Sequence, residues 1–399
     1  MGGVRRGNAA ATRPLAVIAA GVFILAAASP ALATTSDVTQ AWPMLGFNAA
    51  HTGYNPDEHI LDRSTVPDLV LRWSRRTGKS LASGESPVVS ESGTVIVPGA
   101  DFHAHAFNAS TGDPLWESSA ESESVSGAVT DDLVVFGQTT GVAALDLQTG
   151  KTRWLNTSCG GQEVEAAPTV ADGTVYAGLN DPELIALRVE SGTCLWESPA
   201  KMAYDSTSSP AVSNGIVYVG DDAGRLWSVD AADGSVRWHA AATGSSEGSV
   251  STPVATRRRV YATAGNEIGA YKASTGVRVW AFGFFQGTVQ FGSPAYARGV
   301  LYVGSSDGTV YAFDARTGYE IWTASPGPRA DFLLSVANGV VYVSGHRLFA
   351  LDARSGETLW SRGAGKKGVG WWSAPAIVNG QVYVQGVNGR LYAFGLPPS

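Results

Sequence analysis

Eight tryptophans recur along the chain at near-equal intervals: Trp73, Trp116, Trp154, Trp196, Trp238, Trp280, Trp322 and Trp360, spaced 43, 38, 42, 42, 42, 42 and 38 residues apart. All but Trp73 follow a glycine by four residues (Gly112, Gly150, Gly192, Gly234, Gly276, Gly318 and Gly356), each preceded by Thr, Ser or Asp. One unit is therefore repeated. A strand-rich unit near forty residues cannot bury both faces of its own sheet, so copies must stack, as propeller blades do.

The unit is clearest over residues 293–322, SPAYARGVLYVGSSDGTVYAFDARTGYEIW. It reads as a short strand after Ser-Pro, a turn at Arg298-Gly299, a strand LYVG, a hairpin at Asp307-Gly308, a strand TVYAFD, a Thr-Gly turn and a strand ending on Trp. Asp-Gly and Asn-Gly supply the positive dihedrals that two-residue hairpins need, and alternating Val, Tyr and Ala suit a half-buried pleat. The Thr-Gly glycines read as turn residues and nothing more. The second strand has eight copies, at Thr94, Leu133, Thr174, Ile216, Val260, Leu301, Val340 and Gln381. The expected fold is all-β, an eight-bladed propeller of four-stranded antiparallel blades.

The chain ends check that count. The last copy stops at Leu391-Tyr392-Ala393-Phe394 without its Trp strand, and Trp73 is the one Trp with no strands or glycine before it. The N-terminal strand therefore completes the last blade and closes the ring. The propeller spans 69–395, after a lead-in at 34–68 and before a short tail at 396–399.

Residues 1–33 read as an export signal: Arg5, Arg6 and Arg13 precede an apolar run from Leu15 to Ala28 and a small-residue site at Ala31-Leu32-Ala33. No later apolar run is long enough to span a membrane. The mature chain carries 25 basic against 35 acidic residues, a net charge of about −10, with no basic run beyond Arg257 to Arg259. That balance argues against nucleic acid and anionic membrane partners. A secreted or periplasmic monomer is the expected state. Cys159 and Cys194 are the only cysteines. They form either one disulfide, worth roughly 3 to 4 kcal/mol in the chain-entropy model, or two unpaired thiols; export favours the bond.

With VYVG strands, DG hairpins, LYALDA-like strands, TG turns and closing Trps at fixed offsets, the unit resembles the pyrroloquinoline-quinone (PQQ) type propeller repeat. The match covers Leu69 to Phe394. The preceding AWPMLGFNAAHTGYNPDEHI, Ala41 to Ile60, is similar to the lead-in of quinoprotein alcohol dehydrogenases, particularly polyvinyl-alcohol-dehydrogenase-like proteins. The resemblance implies PQQ and calcium as cofactors. Departures weigh against catalysis: the chain has no adjacent cysteine pair, no CxxCH haem-attachment motif and no long insertions between repeats. A likeness to the propeller lipoprotein of the outer-membrane barrel-assembly machinery is disfavoured by the lack of a lipid-anchor cysteine after the signal.

Loops leading into the innermost strands line the axial funnel of a propeller, and here they carry Glu85, Glu123, Glu165, Asp205, Phe291, Arg329, Asp331, Trp371 and Trp372. On the quinoprotein reading, Glu85 and Glu165 hold calcium, Arg329 and Asp331 act on the cofactor or substrate, and Trp371 or Trp372 stacks on the quinone. On the binding reading the acids are solvated, Arg329 pairs with Asp331, and the funnel or a propeller face takes a protein, peptide or carbohydrate ligand. Three further features have structural readings. His103 and His105 share a strand face where other repeats place Tyr or Trp, which points to packing before metal ligation. The cluster Phe282, Phe284, Phe285 and Phe291 fits packing between blades better than a contact surface. No GxSxG, HExxH or GxxxxGK motif is present.

Overall fold

The computed structural model describes residues 1–2, 40–78, 85–99, 101–118, 125–160, 163–164, 166–180, 183–199, 208–242, 249–284, 289–327, 334–363, 370 and 373–398. The chain forms two units, Met1–Val38 and Thr39–Ser399. All of the described sheet lies in the second. Its strands make eight separate sheets, each built on a four-stranded antiparallel blade; in blade 7 a fifth strand, Tyr54–Asn55 of the lead-in, pairs parallel with the innermost strand Leu334–Ala337. Blade 1 runs outward from Val88–Val89 through Thr94–Pro98 and Ala104–Asn108 to Pro114–Glu117. The innermost strands of blades 2 to 8 are Ala128–Val129, Thr169–Ala171, Ala211–Ser213, Val254–Ala255, Ala295–Ala297, Leu334–Ala337 and Ala376–Val378.

The expected closure is present. Val70–Arg76 pairs antiparallel with Arg390–Gly395 and supplies the outermost strand of blade 8. Buried clusters then fill each gap between consecutive blades around the ring. Val88, Ile96, Phe136 and Leu145 join blades 1 and 2, Val254, Ile268, Leu301 and Val303 join blades 5 and 6, and Tyr342, Tyr383, Val97 and Phe107 carry the core across the closing seam. Closure removes the exposed interblade face that an open ring would leave in water.

Turn chemistry explains the local geometry. At Asp172-Gly173, Asn214-Gly215, Arg298-Gly299, Asn338-Gly339 and Asn379-Gly380 both residues have positive φ, as the tight turn from first to second strand requires. A backbone bond ties this turn to the turn between third and fourth strands, as in Ala315 N to Gly299 O at 2.9 Å and Ala353 N to Gly339 O at 3.0 Å. Both kinds of turn therefore crowd one face of the ring, and the loops leading into the innermost strands lie on the other.

The Thr-Gly glycines do more than turn the chain. Gly234 has φ +75, and a Cβ there would sit 2.7 Å from Cε3 of Trp196, the tryptophan of the preceding blade. The same holds for Gly112 against Trp73, Gly150 against Trp116 and Gly192 against Trp154, each with a Cβ 2.5 Å from the indole. Each indole also donates to a carbonyl of the next blade: Trp196 Nε1 to Ala231 O at 3.0 Å, Trp238 to Ala273 O at 2.9 Å, and Trp280 to Ala315 O at 3.1 Å. Glycine and tryptophan thus form a lock between blades, with the glycine four residues upstream serving a different Trp from the one it precedes. Trp360 has no glycine to meet, because the chain's beginning supplies the next surface; its Nε1 donates to Leu69 O at 3.1 Å, beside the 3-10 turn Val66–Asp68.

Cys159 and Cys194 are joined in a disulfide across a Cα–Cα distance of 5.6 Å, linking the segment after the outer strand of blade 2 to the outer strand of blade 3.

Candidate functional site

The axis is where a propeller gathers residues from every blade, and here the lead-in occupies it. Trp42 exchanges two backbone bonds of 2.8 Å with Val89 of blade 1, and Pro43 O accepts from Val129 N of blade 2 at 2.7 Å. Ala49 O accepts from Val212 N, Ala50 O from Ala255 N, Thr52 O from Tyr296 N and Gly53 O from Val336 N, at 2.6, 2.9, 2.7 and 2.7 Å, which accounts for blades 4 to 7. His51 Nε2 bonds Thr169 Oγ1 of blade 3 at 2.8 Å, and Asn55 Nδ2 donates to Ile377 O of blade 8 at 2.8 Å. Every innermost strand is thus held by the lead-in. The cause is general: the free edges of these strands point at the axis, and buried unpaired amides are costly.

The segment fits because its backbone folds on itself. Gly53 N donates to Gly46 O at 2.8 Å, and Asn48 closes the loop through Thr52, its Nδ2 donating to Thr52 Oγ1 at 2.8 Å and its Oδ1 accepting from Thr52 N at 3.2 Å. Gly46 and Gly53 have positive φ, and a Cβ at either would meet His51 or Ala295 at 2.8 Å. Beyond the axis, buried Glu58 caps the exit, its carboxylate accepting from the amides of Ile60, Leu61 and Gly380 at 2.7, 2.9 and 3.0 Å.

On the loop side of this plug lies a cavity of about 70 Å³ lined by Leu45, Gly46, His51, Gly53, Thr252, Ser293, Pro294, Leu334, Ser335 and Ala374. Among the described residues His51 is its one ionisable group, 3% exposed, and its Nδ1 has no hydrogen-bond partner among them. Burial lowers its pKa to about 4, against a weaker opposing effect of the Pro210 carbonyl, so the ring is neutral at physiological pH. The hydroxyls around the cavity's mouth are spent between blades: Ser209 N donates to Thr252 Oγ1 at 3.1 Å, Ser335 Oγ to Pro375 O at 2.6 Å, and Ala374 N to Ser86 Oγ at 2.9 Å.

The residues expected from the sequence divide as follows. Glu123, Glu165, Asp205, Arg329, Asp331, Trp371 and Trp372 lie outside the described residues. Glu85 is buried next to Ser86, whose amide donates to Ser126 Oγ at 2.8 Å. Phe291 is buried between blades 5 and 6, its ring centroid 5.6 Å from Phe284 and 5.5 Å from Tyr311, while Phe282 lies 4.8 Å from Phe313. This is the packing cluster anticipated; Phe285 falls outside the described residues. His103 precedes the strand Ala104–Asn108 and does not share it with His105. His105 stacks on Phe107 and bonds Asp101 through Nε2 at 3.0 Å. Blade 4 repeats the arrangement with Trp227 Nε1 donating to Asp221 at 2.8 Å, so a hairpin carboxylate holding a ring N–H is part of the blade pattern.

Two clusters among the described residues have metal-ligand chemistry, Asp101 with His105 and Glu117, and Glu197 with the bonded cysteines. Neither borders the axial cavity. Among the described residues that cavity has no carboxylate, guanidinium or indole, so its lining does not fit calcium with a tricarboxylic quinone, and no chemical step is derived through that pair.

The lead-in was the part missed in sequence. Its signal was present in Gly46, Asn48 and Gly53, turn formers at short spacing inside a segment with too many apolar residues for a solvated linker.

A protein-family profile described as outer membrane protein assembly factor BamB matches residues 64–161, 100–324 and 306–395. The chain belongs to this family of PQQ-like repeat propellers. The disfavoured barrel-assembly likeness thus returns at the level of the repeat. A quinohemoprotein alcohol dehydrogenase of Comamonas testosteroni is 28% identical over 162 residues, which is 36% of this chain and 23% of that protein. The chain therefore spans under a quarter of that relative. The crystal structure of quinohemoprotein alcohol dehydrogenase from Comamonas testosteroni superposes with a TM-score of 0.73 at 16% identity, over 92% of this chain and 83% of that one. BamB from Moraxella catarrhalis gives 0.66 at 17% identity, over 83% and 98%. At such identities the structures share the fold.

Proposed function

We propose that this protein is an exported binding propeller that presents the loop face of the ring to a protein, peptide or carbohydrate partner. The observation that carries the reading is the filled axis: the lead-in satisfies every blade and leaves a small cavity with one neutral imidazole. The ligand is assigned to the loops leading into the innermost strands, whose sequence carries Glu85, Glu123, Glu165, Asp205, Arg329, Asp331, Trp371 and Trp372. Carboxylates, one guanidinium and two indoles suit recognition of polar and sugar-like surfaces, since indoles stack on apolar faces while the charged groups accept and donate hydrogen bonds. Export is supported by the N-terminal Arg5-Arg6 and apolar run and by the Cys159–Cys194 disulfide, which persists in oxidising compartments.

The competing reading is PQQ- and calcium-dependent alcohol oxidation, supported by the similarity to a quinohemoprotein alcohol dehydrogenase. Calorimetric titration with PQQ in the presence of calcium, followed by a dye-linked alcohol oxidation assay, separates the two. The binding reading expects no saturable PQQ heat and no dye reduction. Stoichiometric PQQ binding abolished by Arg329→Ala would replace it with the dehydrogenase.

A further inference from the structure

The face opposite the loops carries its charge in two arcs. Its turns between first and second strands hold, as charged residues, only acids in blades 1 to 3 (Glu91, Asp131, Asp132 and Asp172) and only arginines in blades 5 and 6 (Arg257, Arg258 and Arg298, with Arg259 opening the strand that follows). All are exposed except Arg259, whose guanidinium donates to Ala315 O at 3.0 Å and Arg316 O at 2.6 Å. The turns between third and fourth strands are mixed: exposed Asp113 on blade 1, 3.6 Å from Arg75, and exposed Arg316 and Arg354 on blades 6 and 7 follow the arcs, while exposed Lys151 on blade 2 and Glu357 on blade 7 run against them. Two grooves of similar size sit within them. One of about 340 Å³ between blades 1 and 2 has Glu91 and Asp131 on its walls, and one of about 360 Å³ between blades 6 and 7 has Arg298 and Arg354.

The arcs are centred half a ring apart, on blades 2 and 6. A two-fold axis in the plane of the face, along the line from blade 4 to blade 8, therefore lays each arc on the opposite arc of a second copy. Blade 3 then meets blade 5, blade 2 meets blade 6, blade 1 meets blade 7, and the acidic groove meets the basic one. Blade 4 meets itself through the uncharged turn Asn214-Gly215, and blade 8 through the exit of the lead-in, which covers the turn Asn379-Gly380: Glu58 accepts from Gly380 N at 3.0 Å, and Asp57, His59 and Ile60 beside it are exposed.

We propose that this face pairs with a second copy of the chain through that two-fold, giving a dimer with its two loop faces outward. A self-complementary patch of this kind is what an isologous interface requires. The contact is electrostatic between exposed groups, so it is weak individually and salt-sensitive. The sequence favours a monomer because the arcs appear only when turns forty residues apart are placed on one face. The proposal stands apart from the ligand reading, since it uses the other side of the ring.

Sedimentation velocity of the full-length protein at low ionic strength and in about 0.5 M salt tests it, with the dimer constant expected to weaken roughly tenfold or more. Two charge-reversal variants complete the test, Asp131→Lys with Asp132→Lys, and Arg298→Glu with Arg316→Glu. Each alone is expected to sediment as a monomer with an unchanged melting temperature, and their equimolar mixture as a dimer. Wild-type protein that stays monomeric at tens of micromolar in low salt overturns the proposal, as does a dimer indifferent to either reversal or a mixture that stays monomeric.

Discussion

At the scale of single residues, the repeat is a set of locks whose partners lie in neighbouring copies. Gly234 and Gly215 have nearly the same φ, +75 and +72, yet Gly234 faces Trp196 while nothing lies within 4 Å of Gly215. Gly215→Ala therefore pays only for the left-handed backbone, about 1 kcal/mol, whereas Gly234→Ala adds an indole clash and costs about 2 to 4 kcal/mol. Chemical denaturation of the two variants reads the difference. The tyrosines make a second contrast. Tyr218 donates to Ala273 O at 3.2 Å, while the buried Tyr342 hydroxyl has no partner, because the irregular lead-in replaces the turn that would have offered one. Burial, with Glu58 and Asp62 nearby, raises the Tyr342 pKa well above its ordinary value. Tyr342→Phe should be neutral or stabilising by about 1 kcal/mol, and Tyr218→Phe destabilising by about 1 kcal/mol. Equal losses in the two melts would contradict this assignment.

At the scale of elements, how much was legible depends on how local the cause is. Two-residue turns such as Arg298-Gly299 were readable because both dihedrals are set by the residues themselves. The closing strand Val70–Arg76 was readable because the final repeat visibly lacks one. The Gly–Trp lock was half readable: its spacing shows, but the partner blade does not, since a periodic sequence gives the same interval for a contact within a unit or between units. The lead-in was opaque because its order is imposed by eight strand edges that exist only once the ring has formed. His51 reports on that order. Its folded pKa of about 4 lies below the ordinary histidine value of 6.5, so the unfolded chain takes up a proton first as pH falls. Stability from this residue is complete above pH 6.5 and drains between 6.5 and 4 by about 3 kcal/mol. His51→Gln should flatten the acid limb of stability in that window, measured by urea melts at several pH values; an unchanged limb would place the proton uptake elsewhere.

At the scale of the whole molecule, the propeller is a ring closed twice, at its rim by the strand Val70–Arg76 and at its axis by residues 41–55. The second closure assigns the two faces different work. The loop side is backed by a plug instead of an open channel, and the turn side carries the opposed charge arcs. Trp371 and Trp372 stand out in the sequence because they break the repeat, whereas the axial plug does not, since its order depends on the closed ring. Amide hydrogen exchange of the intact protein, resolved to single residues, tests the axial closure most directly. The amides of Val129, Val212, Ala255, Tyr296 and Val336, which donate to the lead-in, should exchange only through global unfolding, as slowly as the central strands of their blades. Exchange of these five at rates typical of exposed strand edges would contradict a lead-in seated in the axis.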